Sequence, residues 1–170
     1  MIFKSLSIII LFLISTYTFA DFDAEVIRVI DGDTIKVKDD NNRKFKIRLL
    51  GIDAPELKQI FGKESSRYLN KIINGKLVTI VSKSNNGKPY TLDFYKRILG
   101  KIYFDGTDIN LLMVRKGFAW HYKKYKKSQS LEDQQSYGIA EKYARVNKFG
   151  LWAKDSLVPP WEWRKINKRK

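Results

Sequence analysis

Arg48, Asp53 and Glu56 fall within nine residues, RLLGIDAPE, that otherwise read as a strand running into a turn stiffened by Pro55. A guanidinium beside two carboxylates allows two readings. One is a turn with a local ion pair. The other is half of an active site, in which one acid holds a cation, another activates water, and the guanidinium neutralises charge growing on a phosphoryl oxygen. VIDGDTIKV adds a third acid. Its Asp31-Gly32 pair is a hairpin-turn signal, but Asp33 has the strand parity of Ile35 and Val37, the face expected to point inward. A carboxylate there is costly unless it is paired or bound to a cation; a lysine could serve, and so could a metal. Asp33 and Asp53 have no histidine or cysteine near them in the sequence. They are hard oxygen donors that suit Ca²⁺ or Mg²⁺ and not zinc. Arg97, at the head of RILGKIYF, would lie near the same rim if the strands close into a barrel. Two guanidiniums, a pair of cation-holding acids and a free glutamate are the parts that a phosphodiester hydrolase needs.

Those residues need strands to hold them. AEVIRVI (24–30), DTIKVK (33–38), RKFKIRLL (43–50), KLVTIVSK (76–83) and RILGKIYF (97–104) are short and rich in β-branched residues. In the third, Phe45, Ile47 and Leu49 share one face, while Lys44, Lys46 and Arg48 share the other. Helices are expected at 62–74, with Gly75 as the stop, at 107–116 from a Thr107 or Asp108 cap, and at about 130–148, where Gly138 weakens continuity. Five short strands with a helix after the third do not fit repeated βαβ units. They fit an α+β, mainly β chain: an OB-fold, a five-stranded Greek-key barrel with about three helices.

The first twenty residues, MIFKSLSIIILFLISTYTFA, have the cation, apolar run and small terminal residue of a cleaved signal peptide. Export to a secreted or periplasmic location follows, with no stable membrane insertion after cleavage. With no cysteine in the chain, the exported protein must fold by its core alone. The formal charge is +15, and removing the leader takes away one lysine and no acid. So large an excess attracts polyanions such as nucleic acid, anionic lipid or wall polymer. Residues 21–163 read as one domain, and 164–170, ending in KINKRK, as a basic solvated tail. His121, the sole histidine, is expected at the surface or groove edge. The tryptophans near the C-terminus are expected to dock it onto the domain.

VIDGDTIKV, RLLGIDAPE, DFYKRILGKIY, LLMVRKGFAW and the closing GLWAKDSLVPPWEWR resemble, in order and spacing, the exported bacterial members of the staphylococcal nuclease-like family. The resemblance implies a calcium-dependent endonuclease that cuts DNA and RNA and leaves 3′-phosphates. It gives Arg48, Glu56 and Arg97 catalytic roles, and makes Asp33, Asp53 and the Ala54 carbonyl calcium ligands. Tyr95 matches a phosphate-contacting tyrosine, and Tyr125, with Tyr122, matches the aromatic pair of the nucleotide pocket. Asp31 matches an acidic residue that acts on the ion at most through water. Lys44 and Lys46 would add phosphate contacts beside Arg48, and a cleft at a barrel rim favours single strands, bound by a monomer. Lys96 stands where many members have glycine, so its Cβ would be strained at positive φ. Two rivals share the charge. A catalytically silent nucleic-acid-binding barrel has no reason to keep Asp33, Asp53 and Glu56 in a polyanion groove. A membrane- or wall-coating protein would need a basic amphipathic helix or a longer basic tail.

Overall fold

A computed structural model describes residues 19–84, 89–155 and 157–167. Strands β1 (Phe19–Val29), β2 (Thr34–Lys38) and β3 (Lys44–Leu49) lead through the two-residue β4 (Ile52–Asp53) to helix α1 (Gly62–Ile73). Then come β5 (Leu77–Lys83), β6 (Ile98–Phe104), β7 (Thr107–Asp108), α2 (Ile109–Arg115), β8 (Trp120–His121), α3 (Leu131–Val146) and α4 (Pro160–Asn167). The main sheet runs β3-β2-β1-β5-β6-β7, and a parallel β3–β6 pairing closes it into a mixed five-stranded barrel. This is the expected OB-fold, with α1 after the third long strand.

Strand parity decides what fills the barrel. Ile35, Val37, Ile47, Leu49, Ile80 and Ile102 are fully buried and meet Leu69 and Ile73 of α1 and Ile109 and Met113 of α2. Asp108 caps α2, its carboxylate accepting from the Leu111 amide at 2.9 Å. Ser130 caps α3 in the same way through the Asp133 amide, and α3 runs unbroken through Gly138. At the β1–β2 turn a Cβ on Gly32 would collide with Ser65 Oγ and the Ala54 methyl. Glycine therefore lets the DGDT turn pack onto α1 beside Ala54, which brings Asp33 against the β4 segment.

Several expectations need correction. Asp53 is not in the turn that follows β3; it pairs with Trp120 in the small β4–β8 ladder. His121 is buried, 5 % exposed, with its Nε2 3.0 Å from Gln129 Oε1 and its ring edge-on to Tyr137. Burial holds its pKa below the ordinary histidine value. Helix α4 crosses the expected domain–tail boundary at 163/164. Residues 1–18, most of the expected signal peptide, and residues 168–170 lie outside the described residues; the expected cleavage after Ala20 falls two residues inside β1. Among the described residues, no helix is long and apolar enough to cross a membrane.

Candidate active site

The acids converge because three short segments meet at one rim of the barrel. Asp33 ends the β1–β2 turn, Asp53 ends β4, and Glu56 follows in the turn into α1, where the Gln59 amide donates to the Glu56 carbonyl at 2.7 Å. A Cβ on Gly62 would strike that same carbonyl, so the turn must stay tight. Asp33 is nearly buried and Asp53 wholly so. Thr34 Oγ1 and the Ala54 amide donate to Asp33 at 3.1 and 2.7 Å. Arg48 is not the solvated cation that its strand face allows. Its Nη1 donates to the Leu49 and Ile52 carbonyls, and its Nη2 lies 2.9 Å from Asp53 and 3.2 Å from Asp33. One guanidinium thus holds both acids.

Arg97 stands one residue before β6. Asp93 grips it with both oxygens, accepting from its amide and its guanidinium, and its Nη1 donates to Thr34 Oγ1 at 3.2 Å. Because Thr34 and Arg48 are cross-strand partners, the two arginines flank one patch of the rim. Lys44 and Lys46 lie exposed further along the Arg48 face of β3. Tyr122 is close enough for Asp53, after burial, to push its phenol pKa up. Its ring is 5.4 Å from that of Tyr125, which is exposed. Tyr95 is not brought to the acids: it lies exposed with Arg97 5.5 Å over its ring, beside Phe94, which is 94 % exposed.

Burial dominates the electrostatics of these acids. Burial, then the neighbouring Asp33, pushes the Asp31 carboxyl up to about 7. Burial also raises Asp53 in spite of its guanidinium partners. The side chains of Asp33 and Asp53 and the carbonyl of Ala54 offer only oxygen atoms, a donor set whose chemistry suits a hard divalent ion. Among the described residues no three His, Cys, Asp or Glu side chains form a ready-made metal cage. Water, a carbonyl and substrate would have to complete such a shell.

The staphylococcal nuclease homologue family matches residues 46–154. The chain belongs to the staphylococcal nuclease family. It is 40 % identical over 146 residues to an uncharacterized endonuclease of Escherichia coli, covering 85 % of this chain and 86 % of that one. It is 34 % identical over 174 residues to a micrococcal nuclease of Shigella flexneri, covering 97 % and 93 %. A staphylococcal-like nuclease of Arabidopsis thaliana is 42 % identical over 127 residues, 75 % of this chain but 35 % of that longer protein.

Within this nuclease, one site residue escaped the sequence reading. Arg164, assigned to the tail, reaches both Asp53 and Glu56. Its signal lay in PPWEWR: a proline suited to a helix start, then Trp161 and Arg164 three apart on one face. The strain expected at Lys96 is present, with φ 58°. Asp93 enforces it by accepting from the Tyr95 and Arg97 amides on either side. Lys96→Gly is therefore expected to stabilise the fold by about 0.5–1 kcal/mol, left-handed strain outweighing the added chain entropy. Thermal unfolding reads this as a rise of ~1–4 °C; a lower midpoint would show that the lysine side chain compensates.

Proposed function

We propose that this nuclease is an exported, calcium-dependent endonuclease that hydrolyses phosphodiester bonds of DNA and RNA, acting as a monomer with all site residues on one chain. The observation that carries the reading is the shared grip of Arg48 on buried Asp33 and Asp53, with Glu56 three residues beyond. Asp33, Asp53 and the Ala54 carbonyl would hold Ca²⁺, and the ion would supply Lewis-acid polarisation of a phosphoryl oxygen. Arg48 and Arg97 bind and neutralise the oxygens of the phosphate under attack. Glu56 orients the attacking water and takes its proton. The water oxygen bonds to phosphorus as the bond to the 5′-oxygen breaks; the 5′-oxygen takes a proton from solvent, leaving a 3′-phosphate and a 5′-hydroxyl. Tyr122 and Tyr125 offer faces to a base, and Tyr95 a hydroxyl to a neighbouring phosphate.

The test is incubation of the mature protein with plasmid, single-stranded DNA and RNA, with Ca²⁺ or with chelator. Cleavage is expected only with Ca²⁺, at an apparent affinity of ~10⁻⁴–10⁻³ M given so sparse a shell. End-labelling is expected to find 3′-phosphates. Full activity in excess chelator would overturn the metal assignment.

A row of like charges supports a strand-binding face. Arg28, Lys36 and Lys46 are direct neighbours across β1, β2 and β3, and Lys44 lies two residues from Lys46. Like charges placed directly opposite are destabilising, and among the described residues none of these four has an ion pair. A polyanion relieves that repulsion. Log affinity for a single strand is expected to fall against log salt by ~0.7 for each phosphate contacted, and Lys46→Ala to lower the slope by about that amount. An unchanged slope would take Lys46 out of the binding face.

A further inference from the structure

The guanidinium that touches Glu56 comes from neither Arg48 nor Arg97. Arg164 lies on α4, beyond residue 154 where the family match ends. Its Nη1 donates to Glu56 Oε1 at 2.7 Å and to Asp53 Oδ1 at 3.2 Å, while its Nη2 donates to Asp53 Oδ2 at 2.7 Å. Asp53 is thereby held from two sides, by Arg48 and by Arg164. The Glu56 carboxylate has no other hydrogen bond or ion pair among the described residues. Burial alone would pull the Arg164 pKa down, but the bonds from Asp53 and Glu56 outweigh it and hold it above the ordinary arginine value.

An exposed ion pair of this length would carry little meaning. Two features set this one apart. Asp53 is wholly buried and gripped at both oxygens, the two-point geometry in which a guanidinium fixes direction as well as charge. The helix that carries Arg164 is itself anchored. Trp161, on the same face one turn earlier, packs 5.4 Å from the Tyr122 ring and 6.5 Å from that of Trp120. Pro160 is buried, and Gln59 Nε2, from the turn that follows Glu56, donates to the Val158 carbonyl at 2.6 Å. The Glu56 turn and the segment 158–164 are thus tied to each other twice.

We propose that Arg164 is a positioning residue for this active site: it ties Glu56 to buried Asp53, so that the C-terminal helix completes the centre. The inference rests on the nuclease reading above, with Glu56 as the group that faces water. A carboxylate on a turn has several rotamers, and only those aimed at the attacking water are productive. Fixing one of them acts on the chemical step and not on the hold on nucleic acid. The same guanidinium competes with any cation for Asp53. Its removal therefore leaves ion binding intact or tighter.

The experiment compares the mature wild-type protein with Arg164→Gln and Arg164→Lys. Cleavage of a labelled single-stranded oligonucleotide is followed at saturating Ca²⁺, and Ca²⁺ binding without nucleic acid by calorimetry. For Arg164→Gln, kcat is expected to fall ~10–100-fold with KM within about twofold of wild type. Arg164→Lys is expected to recover part of kcat, because one ammonium can reach one acid but cannot bridge two. Ca²⁺ affinity is expected to stay equal or rise in both variants. A kcat for Arg164→Gln within about threefold of wild type overturns the proposal. So does a loss of Ca²⁺ affinity of about tenfold or more, which would make Arg164 a support of the fold around Asp53. Wild-type protein that cleaves no nucleic acid removes the nuclease reading and this inference with it; an active wild type with an unaffected variant removes only the inference.

Discussion

Glu56→Gln is expected to turn over at least ~10²-fold more slowly than wild type while binding nucleic acid equally well or slightly better. Glutamine keeps the length of the side chain and an acceptor oxygen that Arg164 Nη1, now 2.7 Å from Glu56 Oε1, can still reach. Geometry is therefore largely retained. What disappears is a group able to take a proton from water, together with one negative charge beside the place where phosphate must sit. The two losses act on different measurements: the first lowers kcat, and the second relaxes repulsion and raises affinity. A catalytically silent barrel would show neither beyond a small gain in binding. Rates within about threefold of wild type at saturating substrate and Ca²⁺ would sink the role given to Glu56.

How far the sequence exposes this site depends on how each residue is held. Asp33 was legible because period-2 parity puts it with Ile35 and Val37, and it is nearly buried as that parity requires. Arg48 was legible as a residue but not in its state. Strand parity places it with Lys44 and Lys46, and only the carbonyls of Leu49 and Ile52 and the two acids turn it inward. Asp53 lies in a two-residue strand paired with Trp120, too short for any periodic signal. His121 has no pattern of its own; it is buried because the β4–β8 ladder and α3 cover it, which is tertiary information. Helix α4 was hidden by composition. KINKRK reads as solvated charge, while the contacts that make Pro160–Asn167 a docked helix come from Trp120 and Tyr122, some forty residues earlier. The long strands and the first three helices announced themselves because their burial is local and periodic.

The largest effect on stability is expected at Arg48. Replacing it with methionine keeps an apolar stem but leaves Asp33 and Asp53, both buried, without the guanidinium that lies within 3.2 Å of each. It also removes the donors to two carbonyls. Breaking a buried pair from one side costs about 3–5 kcal/mol, because the surviving charge is left without its partner. Arg164 still covers Asp53, which favours the lower end of that range. Among the described residues, Asp33 then keeps only the neutral donors of Thr34 and Ala54. In metal-free protein the unfolding midpoint is expected to fall by ~6–20 °C. Added Ca²⁺ is expected to restore more stability to Arg48→Met than it adds to wild type, since a cation between the two acids supplies the charge that was removed. Arg48→Lys separates charge from shape. One ammonium cannot span two acids and two carbonyls, nor grip a phosphate at two points. Its stability is expected to lie between those of Met and wild type, while turnover still falls by ~10²-fold or more. A midpoint for Arg48→Met within ~2 °C of wild type would show that the acids do not depend on this arginine for charge balance. Arg48→Lys at full turnover would show that the planar grip is not what the reaction uses.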